Sequence, residues 1–111
     1  MRTPLGEAVD GAVVGVVVYD EDGKYLAVNR AMCVILGYTL EEFLQLTPLQ
    51  VSARKEKEIR RGLEEVVRRG SHSGIARLLR KDGTAVEGRF IAARTRVAHI
   101  DYYVSIFEPR S

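Results

Sequence analysis

The stretch "GAVVGVVVYDEDGKYLAVN", from Gly11 to Asn29, constrains this chain more than any other. Two apolar runs flank Asp20-Glu21-Asp22-Gly23, and an Asp-Gly pair supplies the positive φ of a tight reversal, so the runs read as an antiparallel hairpin. The first run is Val-rich at nearly every position. That composition predicts burial on both faces and a place inside a sheet rather than at its edge. A second Asp-Gly reversal, Lys81-Asp82-Gly83-Thr84, separates strands expected at about Gly74 to Arg80 and about Ala85 to Val97. A fifth strand is expected from about Ile100 to Phe107, after a turn at Ala98-His99 that lacks Gly.

Between the two hairpins the period changes from two to about 3.6. Asn29 can accept a hydrogen bond from the free N–H groups of a new helix, and so reads as an N-cap. Met32, Val34, Ile35 and Leu36 form its apolar face, and Gly37 stands where a left-handed residue closes the last turn. Thr39-Leu-Glu-Glu42 fits a capping box and starts a second short helix. Leu46 to Ser52 carries Pro48 and reads as a connection with room for one helical turn. From Ala53 to Arg69, the residues Ile59, Leu63, Val66 and Val67 form the stripe of a longer helix, with Ser52 as N-cap and Gly70 as stop. Short helices hold only by packing. The helices between strands two and three are the elements able to cover one face of the sheet, with Met32, Leu36, Phe43, Ile59, Leu63 and Val66 turned toward it. The class is α+β with an antiparallel sheet.

With 111 residues the chain reads as one domain, 46% apolar and 29% charged, an ordinary globular composition. The lone Cys33 has no partner for a disulfide or a zinc site, so the expected compartment is the cytoplasm. The longest apolar run, Ala12 to Tyr19, is far short of a membrane span, so no membrane association is expected. A net charge of +2 does not demand an anionic partner. The basic residues of Arg54 to Arg61 are interleaved or flanked by Glu56, Glu58 and Glu64, which reads as a solvated helix face and not as a nucleic-acid site.

The "VVVYDEDGKYLAVNRAM" opening, the "LGYTLEEF" junction and the "RLLRKDGTAVEG" hairpin, in that order and spacing, resemble a PAS domain over about Leu5 to Phe107. The resemblance implies a five-stranded antiparallel sheet in the order 2-1-5-4-3, with a single domain over residues 1–111 and an N-terminal cap segment at about 1–10. It implies architectural roles for Asn29, Gly37-Tyr38 and Asp82-Gly83. PAS domains that bind flavin through a thioether carry a Cys after the second helix, where this chain has "LTPLQVSA"; Cys33 lies a helix too early and reads as a small buried hydrophobe. The haem-bearing type places its His where this chain has about Ile59, while His72 and His99 come later. Neither cofactor is expected, and an unknown small apolar ligand is the cofactor class left open. The closing Asp-Ile-Thr signature of many PAS domains is replaced by Phe107-Glu108-Pro109.

No catalytic set of residues appears in the sequence, and no enzymatic activity is expected. The expected function is a sensory or regulatory module of a larger signalling protein, such as a sensor histidine kinase or transcription regulator. It would bind a small ligand, mediate dimerisation, or both, with the effector domain of the same protein and a second copy as its partners. The candidate pocket residues on the helices are Met32, Leu36, Phe43, Ile59, Leu63 and Val66; those on the sheet are Val86, Phe90, Tyr103 and Ser105. The plain alternative is that all ten are packed core, and Phe90 and Tyr103 would change faces with a one-residue slip in register. The alternative function is a ligand-free interaction domain using the N-terminal segment and the open sheet face, where Arg89, Ile91, Ala93 and Thr95 lie together.

Overall fold

The computed structural model of the protein describes residues 14–110. Strands β1 (Gly15–Tyr19) and β2 (Tyr25–Val28) form the first hairpin. At its turn the Asp20 carboxylate accepts from the N–H groups of Asp22 and Lys24, both at 2.9 Å, and Gly23 takes φ +80. Helices α1 (Arg30–Leu36), α2 (Leu40–Phe43), α3 (Pro48–Val51) and α4 (Glu56–Arg69) follow. Strands β3 (Ser71–Leu79), β4 (Ala85–Val97) and β5 (Ile100–Pro109) complete an antiparallel sheet in the order 2-1-5-4-3.

The strand-to-helix junction is built on Asn29. Its Oδ1 accepts from Met32 N–H and from Val16 N–H, both at 2.9 Å, and its Nδ2 donates to Val14 O at 3.0 Å. One side chain therefore caps α1 and ties its start to β1. Gly37, at φ +80, closes α1 in the left-handed conformation that a Cβ would strain. The far end of α1 is completed from the sheet: Lys81 N–H donates to Leu36 O at 2.8 Å, and the Arg80 guanidinium reaches Ile35 O at 3.3 Å. Thr39 and Glu42 form the capping box of α2, and the Glu42 carboxylate also pairs with Lys81.

Several expectations are corrected. Ser52 is not the N-cap of the long helix. It closes α3 and bridges to Leu78, while α4 starts four residues later with Lys55 as N-cap and Glu56 and Glu58 in its first turn. Carboxylates facing the positive helix end do the work of a capping side chain there. Val34 and Val67 leave their stripes and lie 72% and 52% exposed. β3 begins at Ser71, because Ser71, His72 and Ser73 pair with Ala93, Ala92 and Ile91 despite their turn-like composition, and β5 runs on to Pro109. β1 does lie between two strands, but Val17 and Tyr19 on its helix side are buried while Val16 and Val18 on the other are only half-buried. The Ala98-His99 turn joins β4 to β5 with φ of 50 and 67, a conformation that ordinarily selects Asn or Gly. The cap segment expected at residues 1–10 lies outside the described residues. The charged face of α4 carries the ion pairs Arg60–Glu56 at 2.6 Å and Arg69–Glu65 at 2.9 Å.

Two outcomes follow. Asn29→Ala should cost about 2–4 kcal/mol in urea unfolding, since it removes a helix cap and leaves strand groups unpaired; Asn29→Asp, which keeps the acceptor, should cost less. Equal losses in the two variants would show that the Nδ2–Val14 bond, and not the cap, carries the effect. The Glu42 carboxyl is drawn from 4.5 down to about 2 by the Lys81 ammonium and the Thr39 N–H. A carboxyl depressed in the folded state contributes stability that is present above pH ~4.5 and lost as pH falls through about 2. Glu42→Gln should flatten the fall of the unfolding midpoint across that window at constant ionic strength.

Candidate functional site

Helix α4 lays Ile59, Leu63 and Val66 over the sheet, and the strands beneath them carry unusually small side chains. His72, Gly74 and Ala76 face the helix from β3, Phe90 and Ala92 from β4, and Ser105 and Phe107 from β5; the register aligns His72, Ala92 and Ser105 in one transverse row. Gly62 lies over His72, with space where a Cβ would stand 3.5 Å from the imidazole. With Gly above and Gly, Ala and Ser below, the layers do not fill the gap. The result is a cavity of about 330 Å³, in the range of small-molecule sites.

The cavity runs inward to Val17 and Tyr19 on β1, Tyr25 on β2 and Met32 on α1. The Tyr19 ring stacks on Tyr103 with centroids 5.5 Å apart, and Tyr25 packs against Phe43 at 5.1 Å. Burial, with Tyr103 adding to it, pushes the Tyr19 phenol up to about 12; burial and the neighbouring Tyr19 push Tyr25 higher still. Both are neutral phenols at ordinary pH, able to donate and accept. At the outer end the lining includes Arg54, Glu58 and Ile75, and the Arg54 guanidinium donates to the Ile75 carbonyl across the edge of β3.

Of the ten residues expected at a pocket, Met32, Ile59, Leu63, Val66, Phe90 and Ser105 line this cavity. Leu36 and Phe43 are fully enclosed at 0% exposure, and Val86 and Tyr103 are also buried; these four belong to the packed core beside it. Phe90 and Tyr103 both lie on the helix side. Sequence reasoning did not find Tyr19, Tyr25, His72, Ala92 or Phe107. The period-2 alternation from Phe90 and Ser105 points to Ala92 and Phe107, but His72 was hidden by the late start assigned to β3. Cys33, expected as a buried hydrophobe, is only half-buried against the core, and that partial burial pushes its thiol up. Among the described residues no group of three or more His, Cys, Asp or Glu is placed to hold a metal ion, and no helix is long and apolar enough to cross a membrane.

The sequence profile of the family described as the PAS fold matches residues 5–105. This chain belongs to the PAS family. Among solved structures, a PAS domain from Desulfitobacterium hafniense is 21% identical over 94% of this chain and 99% of its own, with a TM-score of 0.81. A domain of a sensory box sensor histidine kinase/response regulator from Geobacter sulfurreducens is 20% identical over 96% of both chains, with a TM-score of 0.75. The LOV domain of the blue-light photoreceptor aureochrome is 20% identical over all of this chain and 86% of its own, with a TM-score of 0.74. No curated protein matches the chain. At these identities the likeness is one of fold, and the sheet order of this PAS domain agrees with it.

Because Ile59 and Leu63 border open space and are only half-buried, Leu63→Ala should cost about 1–2 kcal/mol, below the 2–5 typical of a filled core, roughly, since much of the cavity term is already present. Ile59→Phe should be tolerated within about 1 kcal/mol, where overpacking a filled core costs up to about 3. Urea unfolding with the slope checked decides both. A Leu63→Ala loss in the full core range would mean that α4 closes onto the sheet in solution.

Proposed function

We propose that this PAS domain is a sensory module that takes a small ligand into the cavity between α4 and the sheet and reports it to an effector domain of the same protein. The observation that carries the reading is the cavity itself: about 330 Å³, walled by apolar side chains with a few polar ones, beneath a helix whose stripe lacks large residues at Gly62. Two of the similar structures come from proteins described as a sensor histidine kinase/response regulator and a blue-light photoreceptor, and signal sensing is extended from them to this chain as part of the proposal. The family's flavin and haem positions are occupied here by other residue types, so the ligand proposed is neither. No catalytic role is proposed.

A second observation favours an interaction role on the opposite face. Ile91 is paired with Ile106, and Ile106 with Val16; Ala93 is paired with Val104, and Val104 with Val18. These residues form an apolar band across β4, β5 and β1, with Ile91 49% and Ile106 40% exposed. The proposed partner is a second copy of the chain.

Native mass spectrometry of the gently purified protein, beside its denatured form, tests the ligand. A small molecule released on denaturation, and missing from Gly62→Leu, supports sensing; a bare protein with unchanged behaviour in the plugged variant favours a ligand-free interaction domain. Ile106→Glu should shift sedimentation toward monomer without lowering the unfolding free energy by more than about 0.5 kcal/mol, the range of surface changes. Sedimentation identical to the parent chain would remove this face as the dimer contact.

A further inference from the structure

The inner end of the cavity is built differently from its mouth. Tyr19 and Tyr25 line that end at 6% and 5% exposure. Among the described residues neither hydroxyl has a hydrogen-bond partner, and no enclosed side-chain oxygen is left without one, so neither hydroxyl is sealed into the packed core. The uncharged polar side chains farther out are Ser105 midway, His72 and Ser73 on edge strand β3, and Ser52 before α4. The charged side chains that touch the cavity are Arg54 and Glu58, one of each sign, both exposed at the mouth. An ionised group carried to the inner end would have no counter-charge there, at a large desolvation cost.

The shape adds a second constraint. The lining comes from all five strands, from Ile75 on edge strand β3 to Tyr25 on β2. At about 4.8 Å per strand the lining extends over roughly 19 Å. A volume of about 330 Å³ drawn out along that direction accommodates a body one ring or one chain thick, not a broad fused system.

Resting on the ligand reading above, we infer that the ligand is an elongated, uncharged, largely apolar molecule whose hydroxyl or carbonyl group enters first and hydrogen-bonds to Tyr19 and Tyr25. The phenols offer both a donor and an acceptor, so either group satisfies them. The walls between, from Leu63, Val66, Phe90 and Ala92, offer only dispersion and hydrophobic contact to the rest of the molecule. Selection by charge happens by exclusion at the inner end.

Three probes of one shape separate the terms: biphenyl-4-ol, biphenyl and biphenyl-4-carboxylate, measured by equilibrium dialysis against the full chain. Biphenyl-4-ol should bind about 3- to 10-fold more tightly than biphenyl, the worth of one net hydrogen bond, and the carboxylate at least about 10-fold more weakly than the alcohol, because its charge is buried without a partner. Tyr19→Phe and Tyr25→Phe keep the rings, and at least one of them should abolish the advantage of the alcohol while leaving biphenyl binding unchanged. Gly62→Leu should weaken all three probes. Equal binding of alcohol and hydrocarbon, or tightest binding by the carboxylate, would overturn the inference and leave the cavity as a ligand site. Failure of all three probes to bind the parent chain would overturn the cavity reading itself.

Discussion

The side-chain amide of Asn29 is the joint on which the arrangement depends. A sheet whose first hairpin is followed at once by helices must send the chain out of the β2 edge and over its face, and the four free N–H groups at the start of α1 need a partner where the chain leaves the sheet. Asn29 supplies it with Oδ1 on Met32 N–H, and through Val16 N–H and Val14 O it holds the same residue against β1. Helix entry and sheet edge are thereby fixed by one group. Met32 then lies directly over Gly15, where any Cβ would collide with its side chain. The close approach of α1 to β1 sets Met32 at the inner end of the cavity, and beyond it the core is tight: Leu36 and Phe43 are wholly enclosed.

The opposite end is looser for a reason of the same kind. Helix α4 is held at its ends rather than along its middle. Its last turn is completed by the Arg94 guanidinium on Val67 O at 2.7 Å, and Gly70 O accepts from Arg94 N–H at 2.9 Å. At the other end the α3–α4 connection is bound to β3 through Ala53 N–H on Arg77 O at 2.8 Å. With both ends tied by backbone and cation, the middle of α4 stands off the small residues below, and the space over Gly74, Ala76 and Ala92 is open. The neighbouring core is filled by the aromatic cluster of Tyr19, Tyr25, Phe43 and Tyr103, whose rings pack edge-on, tilted or stacked.

Much of this was legible in the residues. Asp-Gly turns, the Asn29 cap, the Thr39–Glu42 box and Gly37 act through nearest neighbours, and local chemistry is what a sequence displays directly. The α4 stripe gave Ile59, Leu63 and Val66, and alternation gave Phe90 and Ser105. What sequence did not disclose depends on partners far along the chain. Ser52 looks like a cap because its type is right, yet its neighbour is Leu78, 26 positions away. Ser71 to Ser73 look like a turn, and become strand because β4 presents a free edge to them. Whether Leu36 belongs to a cavity or to a filled core turns on which helix ends are tied down, and that is settled by Lys81 and Arg94 from distant hairpins.

The period-2 alternation of the strands joins the two faces of the sheet physically. Ala92 on β4 and Ser105 and Phe107 on β5 touch the cavity, while Ile91, Val104 and Ile106, their immediate neighbours in the chain, form the apolar band outside. A strand cannot shift one row without the other, since successive side chains share one backbone. Under the proposed function, a ligand seated beneath α4 acts on the same two strands that would carry a second copy, with one backbone thickness between them. Helix α1 and the first hairpin, pinned by Asn29, would stay in place. The region free to answer occupancy is then α4 with β3, β4 and β5, and coupling between the two faces would require a ligand whose affinity differs between the free and paired states.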